Sequence, residues 1–267
     1  MGKFIIEGGH RLSGRVKVQG AKNAALPVLA ATVMSRGEMT LFNCPEIRDV
    51  HNMLSILREL GVESYYDGDA LKISGRNARS SPMPQRLSKE LRSSIFMLGP
   101  LLSRFGEAVC AYPGGCEIGH RPVDLHLKGL AALGADIREE RGYIICDGHN
   151  MHGGEIHLDY PSVGATENIM MAAAAVPGDT VITNSAREPE IEELQNFLNS
   201  IGGDIRGAGT STIYIKGEME EVPAAAHRIM PDRIAAGTLM CAVAMAGGEA
   251  ELTDMCPEHI GSLISKL

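Results

Sequence analysis

The sequence contains no tryptophan, and aromatic residues make up only 4% of its 267 residues. A core of this chain must therefore be built from aliphatic side chains and methionine, of which there are 14. Uninterrupted apolar stretches of transmembrane length are absent, and the first residues, MGKFIIEGGHRLSG, lack the apolar region of a signal peptide. These absences lead us to expect a cytoplasmic protein with no membrane partner.

Positive charge is also scarce. Lysine and arginine number 25 against 33 acidic residues, which gives a formal net charge of −8, and there is no basic run. A chain of this kind is not expected to bind nucleic acid. The six cysteines contain no Cys-x-x-Cys pair, so the sequence predicts neither a zinc site nor a disulfide framework. The glycine fingerprint of dinucleotide-dependent dehydrogenases and the phosphate-binding GxxxxGK[ST] motif are missing too, and no cofactor or metal is expected.

An internal repeat organises the chain. Gly-acidic turns recur about every seventy residues, at positions 37, 106, 178 and 248. Each turn follows an apolar helix and precedes a strand, a second helix and two further strands. The first helices of the units are apolar on nearly every face, which is typical of helices inside a core. The repeat therefore predicts an α/β fold with helices inside and sheets outside.

The two ends of the chain depart from this pattern. Residues 4–18 predict two short strands joined by a glycine-containing turn. The fourth unit stops at Leu267, where the other units continue with a glycine turn and two strands. By comparison with those units, we expect the polypeptide to be truncated at its C-terminus.

A glycine-rich loop carries the densest group of reactive side chains. Residues 112–126 contain three glycines and two prolines together with Cys116 and Arg121. A thiol in such a loop acts as a nucleophile or a general acid when its pKa is brought near the working pH. Arg121, five residues further on, is one group that shifts the pKa in that direction. A structural cysteine in a turn is the alternative interpretation.

Five motifs, in order, resemble the family of UDP-N-acetylglucosamine 1-carboxyvinyltransferases, which are enolpyruvyl transferases. The motifs are GAKNAALP at 20–27, LRSSIFMLGPLL at 91–102, PGGCEIGHRPVDLHL at 113–127, SVGATENIMMAA at 162–173 and MPDRIAAGT at 230–238. The resemblance covers the whole chain, as the N-terminal part of the family's sequence. It implies an inside-out α/β barrel fold. Residues 22–231 would form a complete first domain, and residues 1–21 with 232–267 an incomplete second domain.

The resemblance also implies a reaction. The 3′-hydroxyl of UDP-N-acetylglucosamine attacks C2 of phosphoenolpyruvate while C3 receives a proton, and phosphate then leaves. This is the first committed step of peptidoglycan synthesis in the family. The base and further arginines belong to the family's C-terminal half, so this chain alone is expected to be inactive. A non-catalytic UDP-sugar-binding module is one alternative. The shikimate-pathway enolpyruvyl transferase is a weaker one, because it lacks the PGGC cysteine and the RPVDLHL segment.

Residue by residue, the resemblance implies a site for phosphoenolpyruvate. Cys116 matches the cysteine that protonates C3 and is alkylated by fosfomycin. Lys22, Arg92 and Arg121 match the cations that hold the phosphate and the carboxylate. Asn23 matches a residue that hydrogen-bonds substrate, and a helix N-cap is the alternative for an asparagine at this place.

The nucleotide sugar is expected to contact two further segments. The residues that match the first part of this site are Asn23, Arg92, Arg121, Pro122, Val123, Asp124 and Leu125. The second part is a turn whose backbone N–H groups face phosphate, and its residues are Ser162, Val163 and Gly164. Tyr160 stands where some members of the family carry a lysine, which removes one charged contact to the diphosphate.

Other polar residues are candidates for organising the cleft between the domains. They are Asp49, Glu188, Asp232 and Arg233. For His126 two interpretations stay open: it tunes Cys116, or it is a packed loop histidine.

Overall fold

The computed structural model describes residues 3–113, 123–220 and 224–267. Three of the predicted site residues, Cys116, Arg121 and Pro122, therefore lie outside the described residues.

Helices and strands alternate along the described chain. The α-helices there are α1 (Lys22–Ala31), α2 (Arg48–Glu59), α3 (Gln85–Glu90), α4 (Leu98–Phe105), α5 (Asp124–Ala132), α6 (Val163–Ala173), α7 (Pro189–Ser200), α8 (Arg233–Ala246) and α9 (Gly261–Ile264). The strands are β1 (Leu12–Lys17), β2 (Glu38–Phe42), β3 (Glu63–Asp67), β4 (Ala70–Ser74), β5 (Glu107–Ala111), β6 (Asp136–Glu140), β7 (Tyr143–Asp147), β8 (Glu155–His157), β9 (Thr180–Thr183), β10 (Asp204–Arg206), β11 (Thr212–Lys216), β12 (Ala224–Arg228) and β13 (Gly248–Thr253). Short 3-10 helices cover Thr32–Met34, Arg92–Met97 and Pro257–Ile260.

The predicted repeat is confirmed by the sheet topology. In each of the first three units the third strand lies in the middle, antiparallel to both others, in the orders β2-β4-β3, β5-β7-β6 and β9-β11-β10. The helix between the first and second strand of a unit is α2, α5 or α7. The same strand–helix–strand–strand order therefore folds the same way each time.

The first strand of a unit also pairs with a segment from elsewhere in the chain. β12 lies parallel to β2, β8 parallel to β9, and β1 parallel to β13. In the second unit an extended segment takes this position, and the N–H of Met83 donates to the carbonyl of Val109 over 2.9 Å. Each unit thus depends on residues outside its own sequence repeat.

Helices lie inside and sheets outside, as predicted. Every residue of α1 from Ala24 to Ala31 and of α6 from Ala165 to Ala173 is buried. Gly99 lets α4 pack closely on α6, because a Cβ at this position would lie 2.7 Å from Oδ1 of Asn168 and closer still to its backbone oxygen. Small and flexible side chains replace aromatic residues in this core. No helix among the described residues has both the length and the apolar character needed to cross a membrane.

One first helix differs from the others. α8 is as apolar in sequence as α1, yet only Ala236 and Gly237 are buried along it. Val18, Ala236 and Ile260 form a small hydrophobic cluster that is separate from the main core. The prediction that every first helix is buried is thus wrong for α8 within this chain. Among the described residues the main packing partners of α8 are β1, β13 and the 3-10 helix Pro257–Ile260, and they leave most of its residues incompletely buried.

The predicted pair of strands over residues 4–18 is also wrong. Only β1 forms, and it pairs in parallel with β13. Phe4, Ile5 and Ile6 are exposed at 97%, 82% and 87%. A pattern typical of extended chain indicates that a segment can form a strand, but the partner strand is decided by tertiary contacts.

A left-handed residue follows the first strand in three of the units. These residues are Asn43, Asn184 and Asp254, with φ of 56°, 54° and 57°. The amide of Asn43 donates to the carbonyl of Ile229 over 2.9 Å, and that of Asn184 to the carbonyl of Leu158 over 2.7 Å. Each asparagine therefore ties the end of its strand to the end of the parallel neighbour. In the second unit this position is Tyr112, the first residue of the loop 112–126 that the sequence marks as reactive.

Candidate functional site

A cleft of about 610 Å³ lies where the first turns of several helices meet. Among the described residues the helices that contribute their N-terminal ends are α1, α5, α6, α7, α8 and the 3-10 helix Arg92–Met97. The first N–H groups of a helix have no partner inside the helix, and they carry partial positive charge. The backbone of the cleft is thus suited to negatively charged groups.

Most of the described residues that the sequence predicted for substrate binding line this cleft. They are Asn23, Arg92, Asp124, Leu125, Ser162, Val163 and Gly164. Four other residues discussed from the sequence line it too: His126, Tyr160, Glu188 and Arg233. Lys22, Val123, Asp49 and Asp232 are described but do not line it.

Lys22 and Asn23 begin α1. The Nζ of Lys22 lies 3.2 Å from Oδ2 of Asp49, and both side chains are partly exposed. An ion pair exposed to this degree contributes only about 0.2–1 kcal/mol, so an anionic ligand can replace Asp49 as the partner of Lys22. Ala21 occupies the N-cap position of α1 and Asn23 lies inside the helix. The N-cap alternative for Asn23 is therefore wrong, and its side chain is left to the cleft.

The turn at the start of α6 is held by its own hydrogen bonds. Ser162 is the N-cap residue, and its Oγ accepts from the N–H of Ala165 over 3.4 Å. Its own N–H donates to the carbonyl of Tyr160 over 2.7 Å. This leaves Val163 and Gly164, the first residues of the helix, with backbone N–H groups at the cleft wall. Asp232 is used in the same way as an N-cap for α8, where it accepts from Ile234 and Ala235.

His126 is buried, and its hydrogen bond determines its tautomer. Oδ1 of Asn168 accepts from the N–H of Gly99 over 2.6 Å, which identifies the other end of this amide as the donor. Nδ2 of Asn168 lies 3.0 Å from the carbonyl of Ile95 and 3.1 Å from Nδ1 of His126. Nδ1 of His126 is therefore an acceptor, and the imidazole proton lies on Nε2.

The other edge of His126 faces the glycine of the α6 turn. A Cβ on Gly164 would lie 3.1 Å from Cε1 and 3.3 Å from Nε2 of His126. Burial, and then the positive charge of Arg92, lower the pKa of His126 to about 4, against the opposing effect of Asp124. His126 is thus a neutral hydrogen-bond donor at neutral pH. These contacts are those of a packed histidine, one of the two interpretations from the sequence. The other, that His126 tunes Cys116, stays a prediction because Cys116 lies outside the described residues.

The opposite end of the cleft is acidic. Arg233 binds Glu190 with two nitrogens, Nε to Oε1 over 2.9 Å and Nη2 to Oε2 over 3.1 Å. Glu190 is only 3% exposed, so this is a desolvated, bidentate pair. One turn further along α7, Oε1 of Glu193 accepts from the N–H of Met230 over 2.9 Å and lies 3.0 Å from Nε2 of His227. α7 thereby holds the segment that leads into α8.

Glu167 was not predicted from the sequence, and it is the most unusual group in the cleft. It lines the wall and is 1% exposed. Neither carboxyl oxygen has a hydrogen-bond partner within the described residues. Burial, together with the negative charges of Glu190 and Glu188, raises its pKa well above the ordinary value. In the sequence it lies between Thr166 and Asn168 inside an otherwise apolar helix, and an acidic residue at that place was the only available signal.

Side chains suited to a metal ion do not cluster in the described part of the chain, where no group of three or more histidine, cysteine or acidic residues could hold one. What the described cleft offers to a ligand is helix N-termini, hydrogen-bond donors, two arginines and several carboxyl groups.

The fold is that of the enolpyruvyl transferases. The enolpyruvyl transferase NikO from Streptomyces tendae superimposes with a TM-score of 0.84 at 23% identity, over 97% of this chain and 62% of that one. EPSP synthase from Acinetobacter baumannii superimposes with a TM-score of 0.72 at 21% identity, over 93% of this chain and 56% of that one. At these identities the likeness shows the fold alone.

Sequence comparison gives the family. The model for EPSP synthase (3-phosphoshikimate 1-carboxyvinyltransferase) matches residues 6–267, and the chain belongs to this family. It is 52% identical over 267 residues to UDP-N-acetylglucosamine 1-carboxyvinyltransferase 2 of Caldanaerobacter subterraneus subsp. tengcongensis, in a match that covers all of this chain and 64% of that protein. It is 48% identical to UDP-N-acetylglucosamine 1-carboxyvinyltransferase 1 of Carboxydothermus hydrogenoformans, of which it covers 63%. The chain thus spans less than two thirds of the length of these relatives.

Proposed function

We propose that this chain carries the greater part of the substrate site of a UDP-N-acetylglucosamine 1-carboxyvinyltransferase. The reaction transfers the enolpyruvyl group of phosphoenolpyruvate to the 3′-hydroxyl of UDP-N-acetylglucosamine and releases phosphate. The observation that carries the proposal is the meeting of Asn23, Arg92, Asp124 and the turn 162–164 in one cleft. The similarity to proteins named for this activity supports it. A role in peptidoglycan synthesis and a cytoplasmic location remain predictions.

The N-terminal end of α6 supports binding of the nucleotide sugar. A diphosphate placed at the beginning of α6 would meet the N–H groups of Val163 and Gly164 and the positive end of the helix dipole. Arg92 on the facing wall supplies a guanidinium, which suits a phosphate better than a lysine does because it can donate two parallel hydrogen bonds. The Nε2–H of His126 adds a neutral donor between them.

Phosphoenolpyruvate brings two anionic groups, and we assign them to cationic residues. Lys22 is within reach of a ligand at the start of α1 once it leaves Asp49, and Arg92 lies on the cleft wall. Arg121 remains the predicted third cation. In the proposed addition a base elsewhere in the whole protein takes the proton of the 3′-hydroxyl, the 3′-oxygen bonds to C2, and the thiol of Cys116 gives its proton to C3. In the elimination that follows, the C2–O bond to phosphate breaks while C3 gives up a proton, which restores the C2=C3 double bond of the enolpyruvyl ether.

The domain boundaries remain a proposal as well. We take residues 22–231 as one domain and residues 1–21 with 232–267 as part of a second. Two hydrogen bonds between the connecting segments support this: the N–H of Ala21 donates to the carbonyl of Met230, and that of Asp232 to the carbonyl of Gln19, each over 2.8 Å. The separate cluster around Ala236 agrees with it. Arg233 then reaches the cleft from the second domain.

A second candidate is a UDP-sugar-binding module without catalysis. It is favoured by one observation, that the described cleft supplies binding groups while the chain spans 64% of its relative. In this case the chain binds the UDP-sugar without reaction. The base that deprotonates the sugar hydroxyl, and further arginines, would lie elsewhere in the whole protein. The shikimate-pathway activity is the third candidate, because the family model bears that name.

Two measurements separate these candidates. Calorimetric titration of this chain with UDP-N-acetylglucosamine and with shikimate 3-phosphate tests which ligand binds. Phosphate release from phosphoenolpyruvate, with and without fosfomycin, is then measured on this chain and on the full-length Caldanaerobacter relative. We expect binding of the nucleotide sugar by this chain, and fosfomycin-sensitive turnover by the longer protein alone. Binding of shikimate 3-phosphate without binding of the nucleotide sugar would contradict the proposal.

A further inference from the structure

Glu167 lacks what a buried carboxyl group normally has. Buried polar side chains nearly always have a hydrogen-bond partner, and a buried ionised carboxylate without one costs several kcal/mol. Yet both oxygens of Glu167 are enclosed and have no partner in the described part of the protein. The residue lies one turn into α6, on the wall of the cleft. Glu167 therefore either destabilises the fold without serving a function, or finds its hydrogen-bond partner in a bound ligand.

The surroundings decide the protonation state of Glu167. Besides burial, Glu190 of α7 and Glu188 just before that helix act on it, and both disfavour a further negative charge. Arg233 of α8 is engaged with Glu190 through its Nε and Nη2 nitrogens, so it compensates that carboxylate first. The other charged or titratable groups on the described cleft walls are Arg92 from the 3-10 helix, Asp124 and His126 from α5, and Tyr160 from the segment before α6. The neutral acid is the form that this environment favours.

A neutral carboxylic acid differs from a carboxylate in one respect that matters here. It has an O–H group and can donate a hydrogen bond, whereas the ionised form only accepts. A carboxylate would also repel the phosphate groups that the rest of the cleft attracts. Protonation thus converts Glu167 from a repulsive group into a donor for an anionic ligand.

We infer that Glu167 is a ligand-binding residue: it is held as a neutral acid, and its O–H donates a hydrogen bond to an acceptor oxygen of the nucleotide sugar in the cleft. The inference rests on the proposed function for the identity of that ligand. A metal ion is not a competing ligand for this group, because the described acidic residues do not form a metal-binding cluster.

Two substitutions separate a binding role from a merely structural one. Glu167→Gln keeps a donor and an acceptor at nearly the same size. Glu167→Met keeps the size and removes both. If Glu167 donates a hydrogen bond to the ligand, we expect the Glu167→Gln variant to bind UDP-N-acetylglucosamine within about twofold of the wild-type affinity. The Glu167→Met variant should then bind it about tenfold more weakly. A structural role predicts equal binding by both. The matched control is Glu192→Gln, which makes the same change on the exposed face of α7 and should alter nothing.

The experiment combines calorimetry with infrared spectroscopy on the complete 267-residue chain. Ligand-free wild type at neutral pH should show the C=O stretch of a protonated carboxyl that Glu167→Gln lacks, and UDP-N-acetylglucosamine should shift it. Wild-type affinity should fall as the pH rises through the pKa of Glu167, and that of the Gln variant should not.

Each outcome is decisive. A missing band, or a Met variant that binds as well as a nucleotide-binding wild type, overturns the inference alone. A wild type that binds no UDP-N-acetylglucosamine overturns the proposed function, and the ligand role of Glu167 falls with it.

Discussion

Asn168 donates from Nδ2 to Nδ1 of His126 over 3.1 Å, and this bond fixes the imidazole proton on Nε2. The direction of the bond is set at the far side of the amide, where Oδ1 accepts from the N–H of Gly99. Packing between α4 and α6 therefore determines the hydrogen-bonding character of a residue in the cleft. This is a positioning role for Asn168, which lies beyond reach of a ligand.

His126 should remain neutral over the physiological range. Its pKa is lowered from 6.5 to about 4, mainly by burial. Below pH 6.5 the unfolded chain takes up a proton that the folded chain refuses until about pH 4, so the protein loses stability over this interval. We expect the free energy of unfolding of wild type to fall between these values by more than that of His126→Gln. Chemical denaturation at several pH values measures it.

The tautomer of His126 is a separate test of the same contact. Nitrogen NMR should find the proton of wild-type His126 on Nε2. Asn168→Asp places an acceptor beside Nδ1 and should move the proton to that nitrogen. A wild-type proton on Nδ1 would contradict the arrangement.

Glu167 should show the opposite pH dependence. Its folded pKa is raised, so its stabilising contribution is complete below the unfolded pKa of 4.5 and is lost as the pH rises through the folded value. Glu167→Met removes an unpartnered buried polar group and should raise the free energy of unfolding at pH 8 by about 1–3 kcal/mol. Thermal and chemical unfolding at pH 5 and pH 8 test the sign, with Glu192→Gln as the control. A variant less stable than wild type at pH 8 would contradict the prediction.

Gly99 should tolerate no side chain. A Cβ there would press on Oδ1 and the backbone oxygen of Asn168, and neither can move without disturbing α6. We expect Gly99→Ala to lower the free energy of unfolding by about 1–3 kcal/mol or more. Gly154→Ala is the matched control, because a Cβ at that position would have no other atom within 4 Å, and it should change stability by less than about 0.5 kcal/mol. Similar stability for the two variants would argue against the close packing of α4 and α6.

Asn184 has a left-handed backbone conformation and also donates a hydrogen bond from its side chain. Its φ is 54°, and its amide donates to the carbonyl of Leu158 over 2.7 Å. Asn184→Ala loses the hydrogen bond and keeps the strain, so a loss of about 2 kcal/mol is expected. Asn184→Gly loses only the hydrogen bond and should cost about half as much. Equal losses on denaturation would show that backbone strain contributes nothing.

Much of the architecture could be predicted from the sequence because it is local and repeated. The Gly-acidic turns mark each first strand, and the apolar faces of α1, α4 and α6 mark the core helices. Motifs on separate helices also led to Asn23, Arg92 and the turn 162–164. Here a residue pattern indicates local structure, and repetition makes the indication firm.

The pairing partner of a strand and the burial of a helix could not be predicted from such patterns. The extended pattern at 4–18 does not reveal that β1 pairs with β13, and the apolar sequence of α8 does not reveal that only Ala236 and Gly237 are buried along it. Pairing and burial depend on which segments meet, and those segments lie far apart in sequence.

The sequence by itself determined the repeat, the aliphatic core and the class of residues at the site. Only the tertiary structure decided that Asn168 sets the tautomer of His126, that Arg233 is bound to Glu190, and that Glu167 is left without a partner among the described residues. These depend on distances between residues that no period along the chain encodes, because hydrogen bonding and charge act through space.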